Sequence, residues 1–421
     1  MERIETVIVG SGQAGLATSY YLTQYGREHV VLEQAAQAAN VWRSERWDSF
    51  RLVTPNWALR LPGAEYNGAD EDGFMSREEI IAYFDQYIER FRPPIQYNTQ
   101  VIAVDPTDGQ KYRVRTSEGN YEAENVVIAT GFFQEPKLPP FAVKLSHDIT
   151  QLHSSAYRNP ESVPQGAVLI VGTGQSGCQI AEELYLHGRK VFLCTGSAGR
   201  APRRYRGKDI IEWLNLLGFF DLTPEQLPPG MGKFEGIPHL SGANGGHTLN
   251  LHQFARDGVT LLGHLRDAAG NKVFLAPDLY ENLAKADQFE SEAVNMIDSY
   301  IQSNGLDAPT EELPQLYDGF DQPVIEALDL KAEGIRTVIW AMGYTFDYSM
   351  VKLPVLDSDG FPIQKSGVTQ YPGLYFVGMP WMPSERSGFV LGVGDSARNI
   401  AILIAQADEV IVPHGARADK K

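Results

Sequence analysis

Short apolar runs recur along the chain, most of them followed by a glycine, and they determine its predicted architecture. The first run, Val7 to Val9, consists of β-branched residues, which is typical of a strand buried on both faces. A predicted helix from Gln13 to Tyr25 follows, and then a second apolar run from Val30 to Leu32. The same order returns at Ala167 to Val171, before another predicted helix and a strand from Lys190 to Cys194. Two such units predict an α/β protein with two Rossmann-like dinucleotide-binding domains.

Further buried runs indicate that the second domain is inserted in the first. Residues 126–131 and 338–344 both form an apolar strand that leads to a glycine, and 374–378 is another strand of this kind. A small antiparallel meander is predicted at 101–105, 112–116 and 121–124. A proline-rich connector follows the run at 126–131 and is typical of a domain boundary. We therefore expect one domain from residues 1–160 and 330–421, and a second from residues 161–329 that includes substrate-shaping elements.

Two helix starts can be predicted from capping residues. Ser76 with Glu79 three residues later has the sequence of a capping box and predicts an amphipathic helix that ends before Pro93. Near the C-terminus, Asp395 or Ser396 is expected to cap a helix that follows a glycine-rich stretch.

Each strand–helix–strand unit carries a G-x-G-x-x-G motif where its first strand meets its helix. Gly10 allows the tight turn, Gly12 lets a pyrophosphate approach the backbone, and Gly15 lets the helix pack close to the strand. The helix N-terminus offers unpaired N–H groups and the positive end of a dipole to the phosphates. Glu33, at the end of the second strand, can accept hydrogen bonds from ribose hydroxyls. The corresponding glycines of the second unit are Gly172, Gly174 and Gly177.

The second unit differs from the first at the ribose position. Its second strand ends at Cys194 and Thr195, with no carboxylate where Glu33 stands in the first unit. A missing acid with arginines nearby is what a ribose 2′-phosphate requires, so NADPH is favoured over NADH. The alternative is a solvated basic loop without a ligand. The arginines that follow this strand are Arg200, Arg203, Arg204 and Arg206.

Composition narrows the classes of function. The net charge of −17 on 421 residues argues against nucleic acid or an anionic membrane surface as a partner. No apolar run reaches the roughly 18 residues that a membrane-spanning helix needs. The first strand begins within a few residues of Met1, which leaves no room for a signal peptide, so we expect a cytoplasmic protein.

The cysteines and histidines do not form a redox motif or a metal-binding motif in the sequence. Cys178 and Cys194 are the only cysteines, and the absence of a closely spaced pair argues against a flavin disulfide reductase. His247, His252 and His264 are not grouped with other metal ligands, so we interpret them as structural and expect no metal site.

The loop after Glu33 is rich in aromatic and basic residues. Trp42, Arg43, Arg46 and Trp47 lie within it. It could form a ring-stacking platform beside a flavin, or aromatic packing beneath a long loop; the sequence leaves both interpretations open.

Two dinucleotide sites without redox cysteines or a metal imply that electrons pass between two bound cofactors, a nicotinamide and, most simply, FAD. At this point the chain resembles the class B flavoprotein monooxygenases, and in particular small bacterial members often described as flavoproteins of cation transport. The resemblance covers nearly the whole chain through six motifs, namely GSGQAG with Glu33, VVIATG, GTGQSG, WAMGY, GLYFVG and GVGDSARNIA.

The resemblance implies that the first unit holds FAD and the second NADPH. It further implies hydride transfer to the flavin, addition of O₂ at flavin C4a, and transfer of one oxygen atom to a small organic substrate by N- or S-oxygenation or ketone oxidation. Asn56 and Arg386 are the candidate catalytic residues; a loop asparagine and a surface arginine are the alternatives. The residues expected to bind the cofactors are Gly10, Gly12, Gln13, Ala14, Gly15, Glu33, Trp42, Arg43, Val101, Ala129, Thr130, Gly131, Gly172, Gly174, Gln175, Ser176, Gly177, Thr195, Arg203, Arg204, Met342 and Gly378.

The chain departs from the pattern of that family at two places. The family fingerprint F-x-G-x-x-x-H is matched at His153, but His147 and Ile149 hold its aromatic and glycine positions, which weakens a Baeyer–Villiger assignment. Met379 follows Gly378 where many such flavoenzymes carry Asp. An NADPH oxidase or electron-transfer reductase of the same fold, or a redox-sensing regulator of ion transport, remains an alternative, and a homodimer remains open.

Overall fold

The computed structural model describes residues 1–108, 111–227 and 238–407. Two sheets with helices packed on them dominate these ranges. The helices are α1 (Gln13–Gln24), α2 (Asn40–Ser44), α3 (Arg77–Phe91), α4 (Gln175–Leu186), α5 (Ile210–Leu216), α6 (Leu251–Arg256), α7 (Leu279–Asn304) and α8 (Val393–Gln406). The strands of the two sheets are β1 (Glu2–Val9), β2 (His29–Leu32), β3 (Ile95–Gln96), β4 (Val101–Pro106), β5 (Tyr112–Thr116), β6 (Asn120–Ile128), β7 (Thr150–His153), β8 (Ala167–Val171), β9 (Val191–Cys194), β10 (Thr260–Leu262), β11 (Ile335–Trp340) and β12 (Leu374–Phe376).

The first sheet has seven strands in the order β3-β2-β1-β6-β5-β4, with β12 paired to β6. The strands β1, β2, β3, β6 and β12 run parallel, whereas β4 and β5 form an antiparallel extension. Residues 121–124 and 126–131 were expected to form separate strands, which is wrong: β6 is continuous. Asn125, which interrupts the apolar pattern, is buried and lies opposite Thr6 of β1.

The second sheet has five parallel strands in the order β7-β11-β8-β9-β10. Its β7 and β11 come from segments that the predicted boundaries placed in the first domain. They belong to the second sheet because β11 fills the open side of β8, where Val171 lies opposite Trp340, and β7 pairs with β11. The second sheet therefore starts at Thr150 and ends at Trp340, and it interrupts the first. The predicted α/β class with two Rossmann-like units is confirmed.

Both central strands are buried on both faces, as their apolar runs predict. Ile8 packs with α1 and α8 on one face of the first sheet, while Val7 and Val9 pack with the β4–β5 side on the other. Val168 and Ile170 alternate with their neighbours across the second sheet in the same way. Burying each such side chain stabilises the fold by about 1.5–3 kcal/mol, so the two strands are the centres of the two cores.

Smaller elements complete the fold. A three-stranded antiparallel sheet covers one face of the second domain, and four two-stranded pairs lie in the connecting segments. Their strands are Leu265–Ala269, Lys272–Leu275 and Ala327–Asp329, and the pairs Arg60–Leu61 with Ala64–Glu65, Glu135–Pro136 with Tyr344–Thr345, Arg204–Tyr205 with Lys208–Asp209, and Leu240–Ser241 with His247–Thr248.

The two predictions of helix starts have different outcomes. The capping box of Ser76 and Glu79 is present at the start of α3, so that prediction is confirmed. The predicted cap at Asp395 or Ser396 is wrong, because α8 begins at Val393 with Gly392 at its N-cap and both residues already lie in the first turn. None of the helices in the described ranges combines the length and apolarity required to cross a membrane.

Candidate functional site

The first glycine motif forms a tight turn that leaves open space at the start of α1. Gly10 has a φ of +101°, and a Cβ there would lie 2.9 Å from the carbonyl oxygen of Ala129 at the end of β6. A Cβ on Gly15 would overlap the carbonyl oxygen of Gly10, so α1 can pack this closely only without a side chain. At Gly12, the N-cap of α1, no described atom lies within 4 Å of the Cβ position, and no side chain caps the helix. The turn is therefore shaped for an anionic group at the helix N-terminus.

The second motif repeats this geometry. Gly172 has a φ of +110°, with Ala341 at the end of β11 taking the place that Ala129 has in the first unit. A Cβ on Gly177 would overlap the carbonyl oxygen of Gly172, and the Cβ position of Gly174 faces open space at an uncapped α4. We call the two turns with their helix N-termini the first and the second cradle.

Glu33 is fixed beside the first cradle. Its carboxylate accepts hydrogen bonds from the main-chain N–H of Ser11 at 2.9 Å, from the Ser11 hydroxyl at 2.6 Å and from the main-chain N–H of Ala35 at 2.8 Å. It is 8% exposed, so these contacts hold a buried carboxylate at the end of β2. This is the position from which an acid reaches ribose hydroxyls in dinucleotide folds.

The second cradle has no carboxylate at the corresponding position. Because Leu32 pairs with Val9 as Cys194 pairs with Val171, Thr195 takes the position of Glu33. The Thr195 hydroxyl donates to the carbonyl of Leu262 at 2.7 Å, and the N–H of Gly196 donates to the hydroxyl of Thr173 at 3.0 Å. The ribose side of the second cradle is thus neutral and hydroxyl-lined.

The four arginines expected to bind a 2′-phosphate are all engaged within the protein. Three form ion pairs, and Arg204 donates to two main-chain carbonyls. The contacts are Arg200 with Asp287 and Glu290, Arg203 with Asp209, Arg204 with the carbonyls of Gly245 and Gly246, and Arg206 with Asp298. Binding of a 2′-phosphate by Arg203 or Arg204 stays a prediction, and of these two Arg204 is the one with an exposed side chain.

Arg203 instead connects the two domains. It is 1% exposed, its Nε donates to Asp209 at 2.8 Å, and its Nη1 donates to the carbonyl of Val53 in the first domain at 2.7 Å. Its guanidinium lies 4.2 Å from the centre of the Phe74 ring. Burial lowers the pKa of Arg203 and raises that of the Asp209 carboxyl, although the charge of each partner opposes these shifts. The pair is a buried crosslink between the domains.

Segments that follow the strands close each cradle. Thr130 and Gly131 after β6 are held by the side chain of Gln134, and Gly378 after β12 lies directly against Ala14 in the first turn of α1. Gln13 donates to the carbonyl of Gly388 at 2.6 Å, which ties the glycine-rich C-terminal loop to the first cradle.

In the second unit, Met342 follows β11 next to Ala341, Ser176 lies in the first turn of α4, and Gln175 donates to the carbonyl of Pro238 at 3.3 Å. Val101 is buried in the core at the start of β4.

The aromatic–basic loop after β2 is a packed cluster. The guanidinium of Arg46 lies 5.3, 5.7 and 5.4 Å from the ring centres of Trp42, Phe50 and Phe133, respectively. Arg43 pairs with Asp85 on α3. Because Phe133 follows Gly131, the cluster borders the segment that closes the first cradle. Aromatic packing is therefore present, and contact of Trp42 or Arg43 with a flavin stays a prediction.

Asn56 is buried with both polar atoms of its side chain engaged. Its amide nitrogen donates to the carbonyl of Asp70 at 2.9 Å, and its amide oxygen accepts from the N–H of Met75 at 3.0 Å. These contacts fix the loop between Asp70 and Met75, so Asn56 has a structural role in this state. Its predicted catalytic role stays a prediction.

Arg386 lies in the C-terminal loop and pairs with Asp221 of the second domain. With Trp57 and Asp395 it contributes to a cavity of about 490 Å³. The neighbour of Arg386, Glu385, is a candidate functional residue that sequence reasoning missed, because a glutamate in a polar loop is expected to be exposed. Glu385 is 6% exposed, and burial, opposed by the charge of Arg386, raises the pKa of its carboxyl to about 8. A buried carboxyl that holds a proton at neutral pH is typical of functional sites.

His153, the residue that matches the family fingerprint, has a positioning role. Its Nδ1 accepts from the N–H of Ser155 at 3.2 Å, and its Nε2 donates to the carbonyl of Gly343 at 3.0 Å. The fingerprint histidine therefore holds the segment that follows β11 next to the second cradle.

The two cysteines are buried, and the three histidines named in the sequence each contact an acidic side chain. Cys178 and Cys194 are both free and fully buried. His247, His252 and His264 each lie beside one carboxylate, namely Glu182, Asp287 and Asp278. Within the described ranges, no group of three or more histidine, cysteine or acidic side chains is arranged to hold a metal ion.

The pair of His247 and Glu182 predicts a pH-dependent contact between α4 and the hairpin 240–248. Their hydrogen bond of 2.6 Å raises the pKa of His247. A raised pKa stabilises the folded protein below the unfolded pKa, and this contribution is lost as pH rises through the folded pKa. We expect the protection factors of residues 242–248, which are exchange rates corrected for the intrinsic pH dependence of amide exchange, to fall as pH rises through the raised pKa of His247, measured by mass spectrometry. In His247→Gln the protection factors should no longer depend on pH; an unchanged pH profile in this variant would contradict the assignment.

Comparison with known proteins assigns the family. A family model described as pyridine nucleotide-disulphide oxidoreductase matches residues 7–215. An uncharacterized CzcO-like oxidoreductase of Geobacillus kaustophilus is 33% identical over 396 residues, which cover 94% of this chain and 96% of that protein. The chain belongs to the CzcO-like oxidoreductases. A probable indole-3-pyruvate monooxygenase of Arabidopsis thaliana, YUCCA1, is 31% identical over 191 residues, or 44% of this chain and 46% of that one.

Solved structures show which fold this CzcO-like oxidoreductase shares. A flavin monooxygenase mutant from Stenotrophomonas maltophilia aligns with a TM-score of 0.67 at 19% identity over 96% of this chain and 99% of that one. A bacillithiol disulfide reductase from Bacillus cereus aligns with a TM-score of 0.60 at 16% identity, covering 96% and 99% of the two chains. The two-dinucleotide-binding flavoprotein fold is thus established, and it is common to oxygenases and disulfide reductases.

Proposed function

We propose that this CzcO-like oxidoreductase is an FAD-dependent, NADPH-consuming monooxygenase that transfers one oxygen atom of O₂ to a small organic substrate. The observation that carries the proposal is the pair of equivalent cradles in a chain whose two cysteines are both free and fully buried. A disulfide reductase of the same fold needs a thiol that its substrate can reach, and burial raises the pKa of both thiols here.

The residues of the two cradles fit dinucleotides. Gly12 and Gly174 leave the space that a pyrophosphate occupies, and both helix N-termini are free of side-chain caps. Glu33 suits the adenosine ribose of FAD in the first cradle. In the second cradle Thr195 stands at that position, so no carboxylate there would repel the additional phosphate of NADPH. When bound and reduced, FAD would be the group that reacts with O₂, so this chemistry belongs to the cofactor.

The protein contributes orientation and exclusion of water. The hydrogen bond from Arg203 to the carbonyl of Val53 joins the two domains, Asp209 holds the Arg203 guanidinium, and His153 fixes the segment after β11. Glu385 can hold a proton near the C-terminal loop that contacts the first cradle through Gln13. The cavity beside Arg386 is lined by charged and aromatic side chains, which suits a small polar substrate with an aromatic or cationic group.

The proposal is tested by following the fate of oxygen. With the purified FAD-loaded protein, NADPH and ¹⁸O₂, we expect one labelled oxygen atom in the product from at least one amine, sulfide or ketone, measured by mass spectrometry. NADPH oxidation should accelerate with that substrate. Peroxide that equals NADPH consumed, one to one, with every substrate would identify an oxidase instead. Binding of NADPH with negligible oxidation in air would identify a sensor.

A further inference from the structure

His264 lies at the edge of the second cradle where a nucleotide ribose is expected. It follows the carboxyl end of β10, and β10 pairs with β9 so that Leu262 lies opposite Cys194. The Nε2 atom of His264 is 3.8 Å from the position that a Cβ would take on Gly196. The hydroxyl of Thr173, in the turn of the cradle, lies at the same distance from that position. The imidazole thus borders the space beside Gly196, on the side of the cradle where Glu33 stands in the first unit.

The other ring nitrogen of His264 is held by Asp278 at the N-terminus of α7. Its Nδ1 lies 2.7 Å from Asp278 Oδ2, and the His264 main-chain N–H donates to Asp278 Oδ1 at 2.9 Å. Burial raises the pKa of the Asp278 carboxyl, but the hydrogen bonds from His264 outweigh this effect and leave the pKa lowered. The side-chain nitrogen of Asn282 lies 3.2 Å from the same Nδ1. Asp278 and Asn282 therefore hold one ring nitrogen and leave Nε2 directed at the cradle.

The ring nitrogen Nε2 of His264 faces the cradle. An imidazole nitrogen can accept a hydrogen bond from a ribose 2′-hydroxyl or donate one to a 2′-phosphate. Asp278 and Arg266 are the charged groups around this ring, and Arg266 is 68% exposed with its guanidinium 3.9 Å from Asp278. The neutral Asn282 also contacts the ring and the hydroxyl of Thr195.

We propose that His264, oriented by Asp278 and assisted by Arg266, contacts the 2′ position of the adenosine ribose in the second cradle and favours NADPH over NADH. The inference rests on the proposed function, because it requires that this cradle binds a nicotinamide nucleotide. It assigns to a histidine from the neighbouring strand the role that the arginines after β9 were expected to have.

The test uses adenosine 2′,5′-bisphosphate and adenosine 5′-monophosphate as probes, titrated into the FAD-loaded protein by calorimetry. We expect the wild-type protein to prefer the bisphosphate. His264→Ala should lower this preference by about tenfold, because a charge-assisted hydrogen bond to the 2′-phosphate is lost. His264→Gln should retain part of the preference, since its side-chain amide can still donate a hydrogen bond.

His187→Ala is the matched control, because His187 is exposed at the opposite end of α4 from the cradle. FAD content and the thermal midpoint of each variant report on folding. A His264→Ala variant that folds and keeps the wild-type preference would overturn the inference alone. Loss of preference in Arg204→Ala without any loss in His264→Ala would return the role to the arginines. Wild-type protein that binds neither probe would overturn the proposed function as well.

Discussion

Replacing Gly15 with alanine is expected to give a protein without bound flavin. A methyl group at this position would overlap the carbonyl oxygen of Gly10, and both groups are parts of rigid elements. α1 must then move away from β1, which distorts the turn that receives the pyrophosphate. We expect the flavin absorbance of the purified variant to be nearly lost, and the apoprotein to be destabilised by about 1–3 kcal/mol because of overpacking.

Two matched variants separate this effect from general damage. Gly12→Ala places its methyl group in open space, so the apoprotein should keep its stability and lose affinity only for FAD. Gly177→Ala repeats the overlap in the second cradle, so that protein should stay yellow but be reduced slowly by NADPH. Normal flavin content in Gly15→Ala would show that the first cradle is not the flavin site.

Replacing Arg203 with methionine is expected to destabilise the protein by about 3–5 kcal/mol, the cost of leaving a buried charge without its partner. Asp209, which is 9% exposed, would lose the positive charge that opposes the rise of its pKa, and the hydrogen bond to the carbonyl of Val53 would be lost. Chemical denaturation measures the loss. Because this hydrogen bond joins the domains, reduction of the flavin by NADPH should also slow, with little change in nucleotide affinity.

Arg204 provides the control for this prediction. It is exposed, and its guanidinium donates to main-chain carbonyls of the hairpin, so Arg204→Ala should change stability by about 0.5 kcal/mol or less. The double variant Arg203→Met with Asp209→Asn removes both charges while keeping a side-chain oxygen that can cap α5, and it should recover part of the lost stability. A large rise in KM for NADPH with unchanged stability in Arg203→Met would instead support direct binding of the phosphate.

The two cradles could be predicted from the sequence because their requirements are local. Gly10 and Gly15 are demanded by contacts within a single turn, and the strand and helix that flank them have clear apolar patterns. The capping box at Ser76 is local in the same way. Such features are set by residues a few positions apart, so one sequence is sufficient to identify them.

The remaining site depends on contacts between distant segments. Arg203 contacts Val53, which lies 150 positions earlier in the sequence, and the residues next to Arg203 do not predict that its side chain is buried. β11 resembles β6 because both flank a central strand, but only the observed pairing shows that β11 belongs to the second sheet. His264 was interpreted as structural because the contact with a nucleotide that we propose depends on its position beside Gly196, which follows the neighbouring strand.

The burial of Cys178 and Cys194 also affects how the protein tolerates its own chemistry. Flavoenzymes that use O₂ release hydrogen peroxide whenever reduction outruns substrate supply, and the thiolate is the form of cysteine that peroxide attacks. With both thiols at 0% exposure and their pKa raised by burial, neither presents that target. In the proposed monooxygenase, peroxide formed without substrate would therefore not oxidise the two cysteines. The protein would then not need a cellular thiol-repair system to reduce them.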